Sequence, residues 1–167
     1  TKVHRYSRDN GSGGYLMKFL TKLFSERTDK SNQPHKWSMN PYQARYRAKM
    51  TVDSARKLGV TLDYSPESLK DVDMLIDKER ETGIGLTKEM AAVMLSLGAY
   101  VGEVMVRNMG AKWAYGGRDE KHDPLMIIVK DRYAINVVSM VFRRFILGNS
   151  HSIAGMYEET EKLTEKQ

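Results

Sequence analysis

The chain has 167 residues, of which 41% are hydrophobic and 29% charged, with a net charge of +6. That is enough sequence for one domain burying about 70% of its unfolded surface. There is no cysteine, which excludes disulfides, zinc–thiolate sites, iron–sulfur clusters and a thiol nucleophile and fits a reducing compartment.

The charge is uneven along the chain. Residues 1–59 hold 13 Lys or Arg against 4 Asp or Glu, and the remainder holds 14 against 17. The basic first third is either an arm that meets a polyanion or a solvated surface. Residues 1–16, TKVHRYSRDNGSGGYL, have no apolar period and contain Gly-Ser-Gly-Gly. They read as a flexible or artificially added tail, with Met17 as the natural start. In residues 17–36, Phe19, Leu20, Leu23 and Phe24 fall at helical spacing before a polar linker. Two turns with so little charge bind a bilayer poorly, so a short helix docked on the body is favoured over a membrane-surface anchor.

From 37 to 164 the pattern is that of one α+β domain. Asn40 caps and Pro41 opens a first long helix whose stripe is Ala44, Ala48, Val52, Ala55 and Leu58, stopped by Gly59. Ser65 and Pro66 open a second, with Leu69, Val72, Leu75 and Ile76 inward and Lys70, Asp71, Asp77 and Lys78 outward. Thr87 caps a third, which runs to about Met109 and ends at Gly110. KWAY, LMIIV and YAINV then read as strands, the last two joined as a hairpin through KDR. Asn136 caps a helix from about Val137 to Leu147, and a last amphipathic helix begins near Ser152. The expected architecture is about five helices around a small, three-stranded antiparallel sheet.

The third helix, LSLGAYVGEVMVRNMG, poses the main question. Gly98 and Gly102 stand one turn apart on one face, and each costs about 1 kcal/mol relative to alanine. Close packing of another helix or of the sheet offsets that cost. A second face carries Ser96, Tyr100, Glu103 and Arg107, with Glu103 and Arg107 in the favourable order for an ion pair. Tyr100, Glu103, Arg107 and Trp113 are candidates for an interaction surface. Glu103 is a weak candidate catalytic acid, since no partner carboxylate, histidine or metal ligand stands at helical spacing.

This stretch, with Trp113 and the later INVVSMVFRR, resembles a family of small bacterial domains of unknown function. Those have a Gly-Ala-Tyr-x-Gly-Glu helix, then Trp, then a strand ending in Asn before a helix. The resemblance covers about residues 65–160 and rests on Gly98, Tyr100, Gly102, Glu103, Trp113 and Asn136. Val137 stands where the family has proline. The resemblance implies a bacterial origin and a shared fold, and no activity.

Other chemistry is sparse. GIGLTK lacks the third glycine of a dinucleotide loop, and no P-loop, GxSxG, HExxH or EF-hand sequence occurs. Asp119, Glu120, His122 and Asp123 could hold a divalent ion, against the plainer reading of a solvated acidic loop. Lys36, Arg45, Arg47 and Lys49 interleave with Trp37, Tyr42 and Tyr46 across residues 36–57, a pattern that could bind phosphates and stack bases. No cofactor is expected.

The longest apolar run, Met90 to Gly102, has 13 residues, where a bilayer needs about 20. With no secretory leader visible either, the expected location is the cytoplasm, without integral membrane association. The favoured function is a non-catalytic protein-interaction module. The alternatives are nucleic-acid binding through residues 36–57 and a hydrolase or transferase using Glu103.

Overall fold

A computed structural model describes residues 39–120 and 123–165. The expected tail, the short helix and linker of 17–36, and Lys36, Trp37 and His122 lie outside these. The first helix, α1 (Pro41–Lys57), starts from a reciprocal cap. The Asn40 side chain accepts from Gln43 N–H at 2.8 Å, and the Gln43 side chain accepts from Asn40 N–H at 3.0 Å. Gly59, at φ +75°, turns the chain out of it.

Helix α2 (Leu69–Glu81) begins three residues later than the Ser65–Pro66 signal suggested. Residues 65–71 are already coiled, but through bonds three residues back, such as Ser68 N–H to Ser65 carbonyl at 3.2 Å. Ser65 does cap this lead-in turn, since its hydroxyl accepts from Ser68 N–H. Helix α3 (Lys88–Met109) is capped by Thr87 and closed by Gly110 in the left-handed region.

Strands β1 (Lys112–Tyr115), β2 (Leu125–Val129) and β3 (Tyr133–Ile135) form an antiparallel sheet in that spatial order. Trp113 stands opposite Ile127, and Ile127 opposite Ile135. Lys130 and Asp131, both at positive φ, make the tight β2–β3 turn, closed by Arg132 N–H to the Val129 carbonyl at 3.1 Å. Helix α4 (Val137–Leu147), capped by Asn136, a single 3₁₀ turn (Asn149–His151) and helix α5 (Ile153–Glu165) complete the fold. The protein is α+β, with five helices and a three-stranded antiparallel sheet among the described residues.

Helix α3 is the centre, with 15 of its 22 residues buried. Helix α1 lies along it, and Thr51 donates to the Ser96 carbonyl at 3.1 Å. Helix α4 and the sheet cover the glycine face, and α2 and α5 pack on each other and on α4. Leu125, Ile127 and Val129 of β2 are buried while Met126 and Ile128 are half-buried. This is the alternation of a sheet with one face on the core.

Burial on all sides explains why α3 is apolar all round. It also corrects the sequence reading of its hydropathy: α3 is long and apolar enough to cross a membrane, with a mean hydropathy of 1.4 over its best window. Glu103 and Arg107 do not lower that value enough to exclude it. Within this fold, 83% of the window is buried against protein.

Candidate functional site

The glycine face of α3 receives two different neighbours. A Cβ built on Gly98 would stand 2.9 Å from Val138 Cα, so the start of α4 rests on bare backbone there. A Cβ on Gly102 would meet the Trp113 ring at 2.2 Å. The six-membered edge of the indole therefore fills the space of the missing side chain.

That seat aims the other end of Trp113 at Glu103. The indole N–H donates to Glu103 Oε1 at 2.8 Å, and Arg107 Nε stands 3.9 Å from Oε2. The Arg107 guanidinium lies over the Tyr64 ring, 3.4 Å from its centroid. Tyr64 in turn packs on Tyr100 with ring centroids 5.1 Å apart. The Tyr100 hydroxyl accepts from Tyr64 N–H at 2.9 Å and shares a 2.6 Å hydrogen bond with Ser68. Asn108 donates to the Tyr64 carbonyl at 2.8 Å. Together these contacts pin the α1–α2 connection to α3, and they hold Tyr64 at φ +64° without a glycine. Burial pushes the Tyr100 and Tyr64 hydroxyls above the ordinary tyrosine range, and the Arg107 charge partly offsets this at Tyr64.

The four residues expected to form an interaction surface therefore do not form one. Tyr100, Glu103 and Trp113 are buried, and only Arg107 reaches water. The reason is that Trp113 folds back over Gly102 and not outward. Glu103 has a structural partner on each oxygen.

The basic set of α1 is divided. Arg45 and Lys49 are exposed, whereas Arg47 is half-buried and burial lowers its pKa. Tyr42 and Tyr46 are exposed on the same stripe as Arg45 and Lys49. In the acidic loop, Asp123 turns inward to accept from Asp119 N–H at 2.7 Å, and its carboxylate crowds Gly117. Among the described residues no group of three His, Asp or Glu could hold a metal ion.

Three features were not visible from spacing. The first is a buried charge cluster. Arg144 donates to Asp77 at 2.7 Å, and its Nε stands 3.2 Å from Asp73 Oδ1. The second contact is an ion pair by distance only, because Arg144 Nε makes no hydrogen bond. Asp73 accepts from Ile153 and Ala154 N–H groups and from the Ser152 hydroxyl, and so caps α5. Asp77, expected to face water, is half-buried in this cluster because Arg144 reaches it from α4. The second feature is an open apolar groove of about 400 Å³, where Leu86, Ala91 and Leu95 face Val138 and Phe142 with Lys88 at the rim. Leu86 is 49% exposed. The third is a polar-edged cavity of about 340 Å³ between α4 and α5. The sequence signal that could have pointed to the groove is Leu86, an apolar residue in a polar turn just ahead of the Thr87 cap.

No protein-family model, curated protein or solved structure matches the chain.

Proposed function

We propose that the protein is a small bacterial, cytosolic protein-interaction module without catalysis of its own, a member of the domain family that its Gly-Ala-Tyr-x-Gly-Glu helix resembles. It works without integral membrane association. The observation that carries the reading is the groove between the start of α3 and α4: Leu86 stands half in water beside an open slot lined by Ala91, Leu95, Val138 and Phe142. Exposed apolar surface rimmed by polar residues is one of the places where partners and ligands dock. Lys88 at its rim fits a partner segment that places apolar side chains in the slot and a carboxylate beside them. The hydrogen bond from Trp113 to one Glu103 oxygen and the Arg107 charge 3.9 Å from the other support a non-catalytic role for that residue.

The absence of cysteine makes the test clean. A photo-crosslinker attached at Leu86→Cys should capture one defined partner from a bacterial lysate, and a crosslinker at Lys162→Cys should not. Lys88→Glu should weaken the capture. Equal labelling from both positions would refute the groove, and turnover in a hydrolase screen that is lost in Glu103→Gln would refute the non-catalytic reading.

A second reading has its own observation. Tyr42, Arg45, Tyr46 and Lys49 recur at helical spacing along one exposed stripe of α1. Cations and rings alternating on a helix suit a single-stranded nucleic acid. Lys49 is also held by Asp53 at 3.5 Å, an exposed pair that salt screens easily. Titration with a mixed-sequence oligonucleotide at low salt decides it, since binding must fall steeply as salt rises.

A further inference from the structure

The cavity between α4, the 3₁₀ turn and α5 lies outside the groove and outside the Glu103 cluster. Its floor is apolar, built from Met140, Ile153 and Met156. Its edge carries Arg143, Asn149, Ser150 and His151, with Glu159 also in the lining.

The hydrogen-bond pattern at the edge fixes which way the polar groups point. Arg143 Nη2 lies 3.2 Å from His151 Nε2, and Ser150 Oγ lies 2.9 Å from His151 Nδ1. A guanidinium can only donate. Arg143 therefore stands as a donor at the ring edge, and the exposed Ser150 hydroxyl can donate outward. Arg143 has no carboxylate within 4 Å among the described residues, so its other N–H groups face water and are open to an acceptor. The hydroxyl of Ser152 adds nothing, because it is spent on Asp73 and Gly155 N–H. The N–H groups of Ile153 and Ala154 are likewise taken by Asp73.

The edge is thus a set of water-facing donors open to an acceptor, above an apolar floor. We propose that this cavity binds a small ligand carrying a carboxylate or phosphate head and a short apolar body. The oxyanion accepts from Arg143 and Ser150, and the body covers Met140, Ile153 and Met156. Glu159 opposes the charge and sets the affinity lower than the donors alone would give.

Backbone-amide NMR of the full chain tests this with five probes: acetate, inorganic phosphate, hexanoate, hexyl phosphate and hexylamine. Hexanoate or hexyl phosphate should shift the amides of residues 140–159 and bind about tenfold or more tightly than its bare head group. Which of the two binds identifies the head group. Arg143→Ala should weaken the binding about tenfold or more, as expected for loss of a charge-assisted hydrogen bond, and Glu159→Gln should strengthen it. The exposed position of Arg143 keeps the variant folded. No shift with any of the probes overturns the site, as does equal binding of hexylamine or unchanged binding in Arg143→Ala. Failure here leaves the α3–α4 groove untouched, since the two share no residue.

Discussion

Glu103 and Asp73 are both carboxylates drawn out of water beside an arginine, and they are held in opposite ways. The partners of Glu103 are near in sequence: Arg107 is four residues on and Trp113 ten. Arg107 is half exposed, so most of its charge is already solvated. The partners of Asp73 come from 71 to 81 residues away. They include a guanidinium only 5% exposed and the first turn of α5. Glu103 positions one indole, while Asp73 holds three helices together. A buried acid is therefore not one kind of object, and its weight depends on whether its counter-charge has water as an alternative.

The largest effect should come from breaking the distant cluster. Arg144→Ala takes the cation from Asp73 and leaves Asp77 only the Arg80 contact at 3.7 Å. It should cost about 3 kcal/mol, the lower end for a broken buried pair, because the Asp77 side chain is 33% exposed. Urea denaturation measures this. A loss below about 1 kcal/mol would put the cluster in the class of surface pairs and remove the contrast.

Next comes the glycine seat that aims Trp113. Gly102→Ala gains about 1 kcal/mol in helix propensity but drives a methyl into an indole 2.2 Å away. Forced overpacking costs about 1–3 kcal/mol and more for a rigid ring, so the net is a loss of about 2 kcal/mol. Gly98→Ala should also destabilise, since its obstacle is the backbone of Val138. Fluorescence separates the two substitutions. Only Gly102→Ala should change the Trp113 emission along with the stability.

Glu103→Gln sharpens the comparison from the other side. Glutamine still offers an oxygen to the Trp113 N–H, and the Arg107 pair it loses is solvent-screened. The cost should stay below about 1 kcal/mol. Glu103→Ala leaves the buried indole N–H without an acceptor and should cost about 2 kcal/mol. If glutamine proves as harmful as alanine, the charge on Glu103 matters beyond holding Trp113.

The contrast also marks what the sequence could tell. Strand limits at Lys112–Tyr115 and Leu125–Val129 and the Asn136 cap were legible because runs of aromatic and β-branched residues and capping are local signals. The crowding at Gly98 and Gly102 was legible as a cost that something had to offset. The direction of Trp113 was not, because a strand residue points to one face or the other depending on where the sheet lands. Hence Tyr100 and Trp113 read as surface and are core. The Asp73–Arg144 cluster left no trace, since nothing near Asp73 in sequence marks it as different from Asp71, which is only half-buried. The donors around His151 are adjacent in sequence in part, but their meaning needs Arg143, eight residues earlier and on another element.

The last and smallest change is the pH-dependent part of a difference at the far end of the Glu103 network. Burial raises the Tyr100 pKa, so the folded state keeps that proton at a pH where the unfolded chain has lost it. The unfolded state then binds fewer protons, and stability falls as pH rises. The contribution is fully present below the ordinary tyrosine value of about 10 and is lost above it. Tyr100→Phe removes the acceptor for Tyr64 N–H and the bond with Ser68, and should cost about 1–2 kcal/mol at neutral pH. Only the wild type pays to ionise this hydroxyl, so the gap between the two should narrow above about pH 10. Tyr157 is raised by burial as well and titrates in both proteins, so it cancels in the difference, whereas Tyr64, in contact with Tyr100, titrates together with it. Urea titrations of both proteins on either side of that pH measure the gap. A gap that stays constant or widens would mean the hydroxyl is reached by water in the folded state, and the Tyr64–Tyr100 end of the network would then belong with the solvated half of the comparison.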